Sequence, residues 1–271
     1  MEANNWVLAL TLSLCAGLST GIGGLFVLLF RRTNTKFLSV ALGFSAGIMI
    51  FISLNEILPE SKSRLTESMG DIQGGISTIV AFFLGIALIA AIDKLIPASE
   101  NPHEMHTIEE IGNCEVPQYH PHKLMKTSVM TALAITIHNF PEGLATFMSA
   151  MAVPKLGIAI AFAVAIHNIP EGIAVAIPAY CATGSRKKAF LYSLLSGAAE
   201  PLGAIFAFLF LAPFINETLL GIIFAAIAGI MIYISFDELL PTAQEYGEHH
   251  LTLYGLLSGM MVMAVSLLVL F

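Results

Sequence analysis

Eight long apolar segments are the feature that most restricts the fold of this 271-residue chain. A helix needs about 20 mostly apolar residues to cross the hydrocarbon core of a bilayer. Such segments are predicted at 5–30, 37–58, 75–96, 127–151, 157–180, 188–212, 218–240 and 251–271. Their apolar runs are continuous and do not alternate with period two, which argues against barrel strands. The sequence therefore predicts one all-α polytopic membrane domain, residues 1–271, with eight transmembrane helices.

The composition agrees with a membrane protein and excludes several other classes. Only 11% of the residues are charged, against about 25% in soluble domains. A net charge of −7 leaves no basic surface for nucleic acid, so the lipid bilayer is the expected surrounding partner. The three cysteines are scattered and indicate neither a disulfide framework nor a zinc finger. The sequence starts without the basic region of a cleaved signal peptide, so the first segment is expected to be a retained helix.

Lysine and arginine orient the predicted helices, because cytoplasmic loops carry an excess of both. Nine of the twelve lie in the loops that join helices 1–2, 3–4, 5–6 and 7–8. These nine are Arg31, Arg32, Lys36, Lys94, Lys123, Lys126, Arg186, Lys187 and Lys188. The other three, Lys62, Arg64 and Lys155, lie in the opposite loops. Both termini are therefore predicted outside the cytoplasmic (inner) membrane, with the long loop 97–126 in the cytoplasm. A seven-helix count is the alternative.

Two internal repeats indicate a duplicated architecture. The segments GIMIFISLNEILP (47–59) and GIMIYISFDELLP (229–241) are identical at nine of thirteen positions. IHNFPEGLA (137–145) and IHNIPEGIA (166–174) are identical at seven of nine. Each pair lies on helices that run in opposite directions in an alternating bundle. The two pairs therefore predict an inverted-topology repeat, as in many transporters, with helices arranged 3+2+3. Chance similarity between apolar helices is the alternative.

The second repeat places polar groups on one face of each of two membrane helices. In each copy, histidine and glutamate are four residues apart and asparagine and glutamate three apart, so all three side chains share a face. The first copy supplies His138, Asn139 and Glu142, and the second supplies His167, Asn168 and Glu171. The proline inside each motif also frees a backbone carbonyl, which at membrane depth needs a partner or a wet cavity.

A third membrane glutamate, Glu200 in GAAEPLGA, lies on the sixth predicted helix. Each central charge costs roughly 2.5–3.5 kcal/mol to insert, and no lysine or arginine lies in these segments to neutralise it. A divalent cation would neutralise this charge. Imidazole together with carboxylate suits zinc, iron and manganese. We predict two adjacent sites that share Glu142 and Glu171. One adds His138 and His167, and the other adds Asn139, Asn168 and Glu200. A polar network that joins the helices is the alternative.

The motifs HNFPEG, HNIPEG and AAEPLGA resemble the signatures of the ZIP (Zrt-, Irt-like) family of divalent metal transporters, above all its bacterial members, and the likeness covers nearly the whole chain. The resemblance implies a binuclear metal centre on the residues just named. It also implies uptake of Zn²⁺, with Fe²⁺, Mn²⁺ or Cd²⁺ as further cargo, into the cytoplasm. The metal is then the substrate and no catalytic cofactor is expected. A homodimer is a candidate assembly. Some relatives differ at the histidine and asparagine of the second copy, so their metal preference is not transferred.

Three groups of residues outside the motifs are weaker candidates. Glu56 and Glu60 at the outer end of the second predicted helix, and Asp237 and Glu238 at the inner end of the seventh, are candidate entrance and exit carboxylates; ordinary interfacial carboxylates are the alternative. Met49 is a candidate pathway residue by likeness to family members, with core packing as the alternative. The loop histidines and cysteine, His103, His106, Cys114, His120 and His122, are candidate cytoplasmic metal ligands unless the loop is only solvated.

Three other functions share some of these features. An intramembrane metallohydrolase would carry H-E-x-x-H, whereas asparagine follows each histidine here, so no enzyme is expected. A selective metal channel would use the same ligands without alternating access. A structural membrane protein without transport would use the polar groups only to join helices.

Overall fold

The computed structural model describes residues 5–29, 35–95, 121–247 and 249–270. These ranges form eight helical rods, here α1 to α8, and contain no β-strand. The rods are α1 Asn5–Leu29; α2 Thr35–Ile52 with Ser53–Ile57 and Leu58–Met69; α3 Asp71–Leu95; α4 Pro121–Ala152; α5 Pro154–Thr183; α6 Arg186–Gly197 with Ala199–Phe206 and Ala207–Leu211; α7 Glu217–Ile234 with Ser235–Leu239 and Leu240–Tyr246; and α8 His249–Leu270. The segments Ser53–Ile57, Ala207–Leu211 and Ser235–Leu239 are π-helical turns.

The rods have the dimensions of membrane spans. Within the described ranges, seven of them, α1, α2, α3, α5, α6, α7 and α8, are long and apolar enough to cross a bilayer. The remaining rod, α4, has 32 residues, which at about 1.5 Å per residue exceeds the hydrocarbon thickness. The predicted all-helical, multi-pass membrane fold is confirmed.

The predicted ends of the second and seventh helices are wrong. The sequence prediction ended them at residues 58 and 240, next to Pro59 and Pro241, whereas α2 continues to Met69 and α7 to Tyr246. A proline cannot donate to the carbonyl four residues back and clashes with it. In both rods a π-helical turn precedes the proline and widens the backbone there, so the helix continues.

The predicted start of the fourth helix is also wrong. Residues 121–126 were assigned to the cytoplasmic loop, but α4 begins at Pro121, because proline fits the first turn of a helix. His122 therefore lies in the first turn of α4. The other loop candidates, His103, His106, Cys114 and His120, lie outside the described residues.

The rods pack as two groups of four. In the first group, α1 packs on α5 and α6, and α4 packs on the same two rods. In the second group, α8 packs on α2, α3 packs on α7, and α2 packs on α7. The groups meet mainly where α2 contacts α5 and where α7 contacts α4. Exposed apolar side chains on α3 and α8, such as Ile76 and Leu268, mark surfaces that face lipid, so the polar motif residues lie at the centre.

The first repeat is also visible in the local geometry. The π-helical turns Ser53–Ile57 and Ser235–Leu239 occupy equivalent positions in the two copies of the sequence repeat. In both turns the first backbone N–H after the turn donates to the carbonyl of the serine that begins it. The two rods therefore share an irregular feature at matched positions as well as a sequence.

Candidate metal centre

The seven residues predicted to hold metal are all buried at the centre of the bundle. They are His138, Asn139, Glu142, His167, Asn168, Glu171 and Glu200, and none is more than 5% exposed. They come from α4, α5 and α6, which contact one another. Because ionisable side chains are rarely buried without partners, their shared burial makes them candidates for a functional site.

Close contact between α4 and α6, and between α5 and α1, brings the motif faces together. A Cβ added at Gly143 would lie 1.9 Å from the carbonyl oxygen of Glu200, and one added at Gly172 would lie 2.0 Å from that of Thr20. Only glycine permits such an approach of backbone to backbone. The glycine that ends each motif therefore sets the distance between the rods that carry the candidate ligands.

The two asparagine side chains are anchored through their nitrogen atoms. Asn139 Nδ2 donates to the carbonyl of Ser196 at 3.1 Å, and Asn168 Nδ2 donates to the carbonyl of Ala16 at 2.9 Å and also contacts the carboxylate of Glu200. Because a backbone carbonyl only accepts hydrogen bonds, the amide atom that contacts it must be the nitrogen. Each Oδ1 is buried and has no hydrogen-bond partner, so both amides present an acceptor oxygen to the interior.

The carboxylates add further acceptor oxygens without donors. Both carboxylate oxygens of Glu142 and one each of Glu171 and Glu200 are buried and make no hydrogen bond. Glu142 Oε1 lies 3.3 Å from His167 Nε2, close enough for charge attraction but without hydrogen-bond geometry. A buried polar atom without a partner costs about 1–3 kcal/mol. Several such atoms are buried among α4, α5 and α6, and a bound cation would offset their cost.

These groups do not form a closed coordination shell. Of the side chains that the structure describes, no three from histidine, cysteine, aspartate and glutamate are placed to hold a metal ion together. The predicted ligands instead meet in pairs, His167 with Glu142 and Asn168 with Glu200. Carboxylates without a cation between them repel one another, so metal binding requires their side chains to move inward.

Glu238 belongs to this centre, although the sequence placed it only at the end of a helix. Its Oε2 lies 2.7 Å from His138 Nδ1, and it is 9% exposed. The contact joins α7 to α4. Sequence reasoning missed this contact because it joins two rods that are far apart in the chain. The signal that pointed to it is the match between Glu238 and Glu56 in the repeat.

The other entrance and exit candidates lie farther from the centre. Arg64 joins Glu60, at 2.6 Å, to Glu217, at 2.5 Å, across the ends of α2 and α7. Glu60 is therefore part of an ion-pair network between the rods. Glu56 and Asp237 are partly exposed, each within a π-helical turn.

Met49 lies in the buried core of α2 and faces the motif on α5. It is fully buried and one helical turn from Ser45, whose hydroxyl donates to the carbonyl of His167 at 3.0 Å. Residues four apart share a helix face, so Met49 lies on the side of α2 that meets α5. Its repeat equivalent, Met231, is also buried.

An all-α, multi-pass membrane protein with imidazole, carboxylate and amide groups buried at its centre is built to handle cations within the bilayer. The family model described as "ZIP Zinc transporter" matches residues 93–267. The chain belongs to this ZIP zinc transporter family. Three similar proteins are each named "Zinc transporter ZupT". That of Streptococcus mutans is 58% identical over 96% of each chain, that of Lysinibacillus sphaericus 58% over 98% of each, and that of Nitratidesulfovibrio vulgaris 54% over 99% of each.

These comparisons confirm the predicted family and a location in the cell membrane. They also confirm that the chain belongs with transporters and not with intramembrane hydrolases, because the relatives are named as transporters.

Proposed function

We propose that the protein takes up divalent transition-metal cations, chiefly Zn²⁺, across the cytoplasmic membrane into the cytoplasm. The observation that carries this proposal is the set of buried oxygen atoms without donors beside two imidazoles. A hydrogen-bonded helix contact would satisfy these atoms within the protein, whereas a cation satisfies them only while it is bound. The names of the relatives support zinc as the main cargo.

The ligands divide into two adjacent sites. His138 and His167 supply imidazole nitrogen to the first site. Asn139, Asn168 and Glu200 supply oxygen to the second. Glu142 and Glu171 serve both sites. Mixed imidazole and carboxylate ligation suits Zn²⁺ and also Fe²⁺, Mn²⁺ and Cd²⁺, whereas Mg²⁺ and Ca²⁺ prefer oxygen alone.

The 3+2+3 inverted repeat is supported by matched contacts on α1, α4, α5 and α6. Asn139 and Asn168, at the same position of the two motif copies, donate to the carbonyls of Ser196 and Ala16. A Cβ added at Gly143 would meet the backbone of Glu200, and one added at Gly172 would meet that of Thr20. In both sets of contacts, a residue of α4 meets α6 where the equivalent residue of α5 meets α1. The contacts therefore relate α4 to α5, and both sets relate α1 to α6 with the same alignment.

Matched contacts in the other group extend the repeat to the remaining rods. A Cβ added at Gly47 would lie nearest to the carbonyl of Leu256 on α8, and one added at Gly229 nearest to the carbonyl of Phe82 on α3. They relate α2 to α7 and α3 to α8. With α1 paired to α6 and α4 to α5, this is the arrangement expected of an inverted repeat. The lysine and arginine count supports a topology with both termini outside. Assembly as a homodimer stays a prediction.

Transport then follows from movement of one group of rods against the other. A hydrated cation enters from outside and loses water to the carboxylates between α4, α5 and α6. The centre is carried mostly by the group α1, α4, α5 and α6, which contacts the second group mainly through α2 and α7. A shift at these contacts would expose the cation to the cytoplasm, as in other repeat transporters.

Uptake by purified protein in liposomes tests the proposal. Zinc, iron, manganese, cadmium and magnesium would be compared for the wild type, His167→Ala and Glu200→Ala. We expect uptake of the transition metals by the wild type and no uptake of magnesium. His167→Ala should abolish uptake, and loss in Glu200→Ala places the second site on the transport path. Normal zinc uptake by both variants would refute the site, and no uptake of any cation by the wild type would refute the function.

A further inference from the structure

The contact between His138 and Glu238 joins the two groups of rods. His138 belongs to α4 in the first group and Glu238 to α7 in the second. Their atoms Nδ1 and Oε2 are 2.7 Å apart, and both residues are at least nine-tenths buried. A buried contact of this kind holds two elements in register, so it stabilises the arrangement of the groups seen here.

The two repeats define an equivalent of this contact. The first repeat relates Glu238 to Glu56, and the second relates His138 to His167. Glu56 lies in the π-helical turn of α2 as Glu238 lies in that of α7. The same local backbone therefore presents both carboxylates. The equivalent contact would join Glu56 to His167, again between the second group and the first.

That equivalent contact is not made in this structure. His167 Nε2 lies 3.3 Å from Glu142, while Glu56 is partly exposed and is not within ion-pair distance of His167. The repeats make these two histidine and glutamate pairs equivalent in sequence, but only one pair is in contact. Two halves with the same backbone geometry make different contacts with their histidines.

We propose that Glu56 and Glu238 are positioning residues that hold the two histidines in turn. In the state seen here, Glu238 holds His138. In the second state of the transport cycle, Glu56 holds His167, and the contact of Glu238 with His138 is broken. The proposal rests on the proposed transport function, because only a protein with two arrangements of its repeats needs both contacts.

Disulfide formation between paired cysteines tests the proposal without any metal. In a chain with Cys15, Cys114 and Cys181 replaced by serine, two pairs would be introduced, His138→Cys with Glu238→Cys, and Glu56→Cys with His167→Cys. Diamide oxidises each pair in membranes, and a maleimide polyethylene glycol gel shift after denaturation counts the remaining thiols. We expect both pairs to form disulfides. The crossed pairs, Glu56→Cys with His138→Cys and Glu238→Cys with His167→Cys, should stay reduced.

A second measurement tests whether the two contacts exclude each other. In the Glu56→Cys, His167→Cys chain, Glu238→Gln should increase the rate of disulfide formation by about tenfold, since it removes the carboxylate charge from the buried contact with His138 that holds the competing state. Glu60→Gln is the matched control. It lies one turn from residue 56, is held by Arg64, and should leave the rate unchanged.

The proposal is overturned if the pair at 56 and 167 stays reduced while the pair at 138 and 238 reacts. It is also overturned if the crossed pairs react equally well, or if Glu238→Gln leaves the rate at 56 and 167 unchanged. None of these readouts depends on uptake. A protein that forms both disulfides but carries no metal in liposomes would refute the proposed function and leave the alternating contacts intact.

Discussion

Replacing Gly143 with alanine should separate α4 from α6 and weaken metal binding. The added Cβ would lie 1.9 Å from the carbonyl oxygen of Glu200 and 2.5 and 2.6 Å from its carbonyl carbon and Cα. All three are backbone atoms, so no side chain can rotate away. Moving from 1.9 Å to the 3.4 Å of ordinary contact requires the rods to part by about 1.5 Å, and overpacking of this kind costs about 1–3 kcal/mol.

The same displacement moves the carboxylate of Glu200. Metal sites tolerate errors of about 0.2 Å in ligand distance and about 0.5 Å in placement. We therefore expect the zinc dissociation constant, measured by isothermal titration calorimetry in detergent, to rise by about tenfold or more, with slower uptake in liposomes. Thermal unfolding in the same detergent would measure the loss of stability.

Gly75→Ala is the matched control for this substitution. Gly75 also lies in a membrane helix, α3, but nothing lies within 4 Å of a Cβ added there. Alanine stabilises a helix interior by up to about 1 kcal/mol over glycine, so Gly75→Ala should bind zinc normally and unfold at the same or a higher temperature. A folded Gly143→Ala protein with wild-type zinc affinity would refute the inference that this close approach positions Glu200.

Three further predictions concern single contacts. Glu200→Gln keeps the shape of the side chain but removes its charge; zinc uptake should fall by about tenfold or more with little change in unfolding temperature, and unchanged uptake would remove Glu200 from the transport path. Ser45→Ala removes the hydroxyl that donates to His167; the free energy of unfolding in denaturant should fall by about 1 kcal/mol, and no change would mean that the bond contributes nothing. Arg64→Ala removes the bridge between Glu60 and Glu217; because both carboxylates are partly exposed, the loss should stay below about 1 kcal/mol, and a larger loss would show that the network holds α2 to α7.

Much of the fold and the position of the centre could be predicted from the sequence. Membrane thickness sets the length of a spanning helix, so the apolar segments located the rods to within a few residues for most of them. The spacing of His138 and Glu142 within one copy of the motif predicted that their side chains share one helix face. The second copy predicted the rod that lies opposite. These features depend on local periodicity, which can be read from the sequence alone.

The helix ends at Pro59 and Pro241 could not be predicted in the same way. Proline usually ends or bends a helix, but α2 and α7 continue past theirs after a π-helical turn, and α4 and α5 continue past Pro141 and Pro170 as α-helix. A local pattern therefore gave the wrong boundary twice, at the two matched positions of the repeat.

The sequence predicted that the first helix is related to the sixth, but it did not show which residues of α1 and α6 match. The matched positions are Gly17 with Gly197, Gly23 with Gly203, and Thr20 with Glu200. Glycine is common in membrane helices, so its spacing carries little information until the backbones are seen in contact. The contact of Glu238 with His138 was missed for a related reason, because it joins rods that are far apart in the chain.

The pairing of Thr20 with Glu200 has a consequence for the charge of the centre. Glu142 and Glu171 are equivalent to each other, whereas Glu200 is matched by a hydroxyl and stands alone. The centre therefore holds an odd number of carboxylates, three, among its predicted ligands. Divalent cations add charge only in steps of two, so one ion leaves ionised carboxylates with a net charge of −1 and two leave +1. One divalent ion therefore needs one proton in addition to make these three ligands neutral, whereas two ions need one further negative charge, which the neighbouring carboxylate of Glu238 supplies.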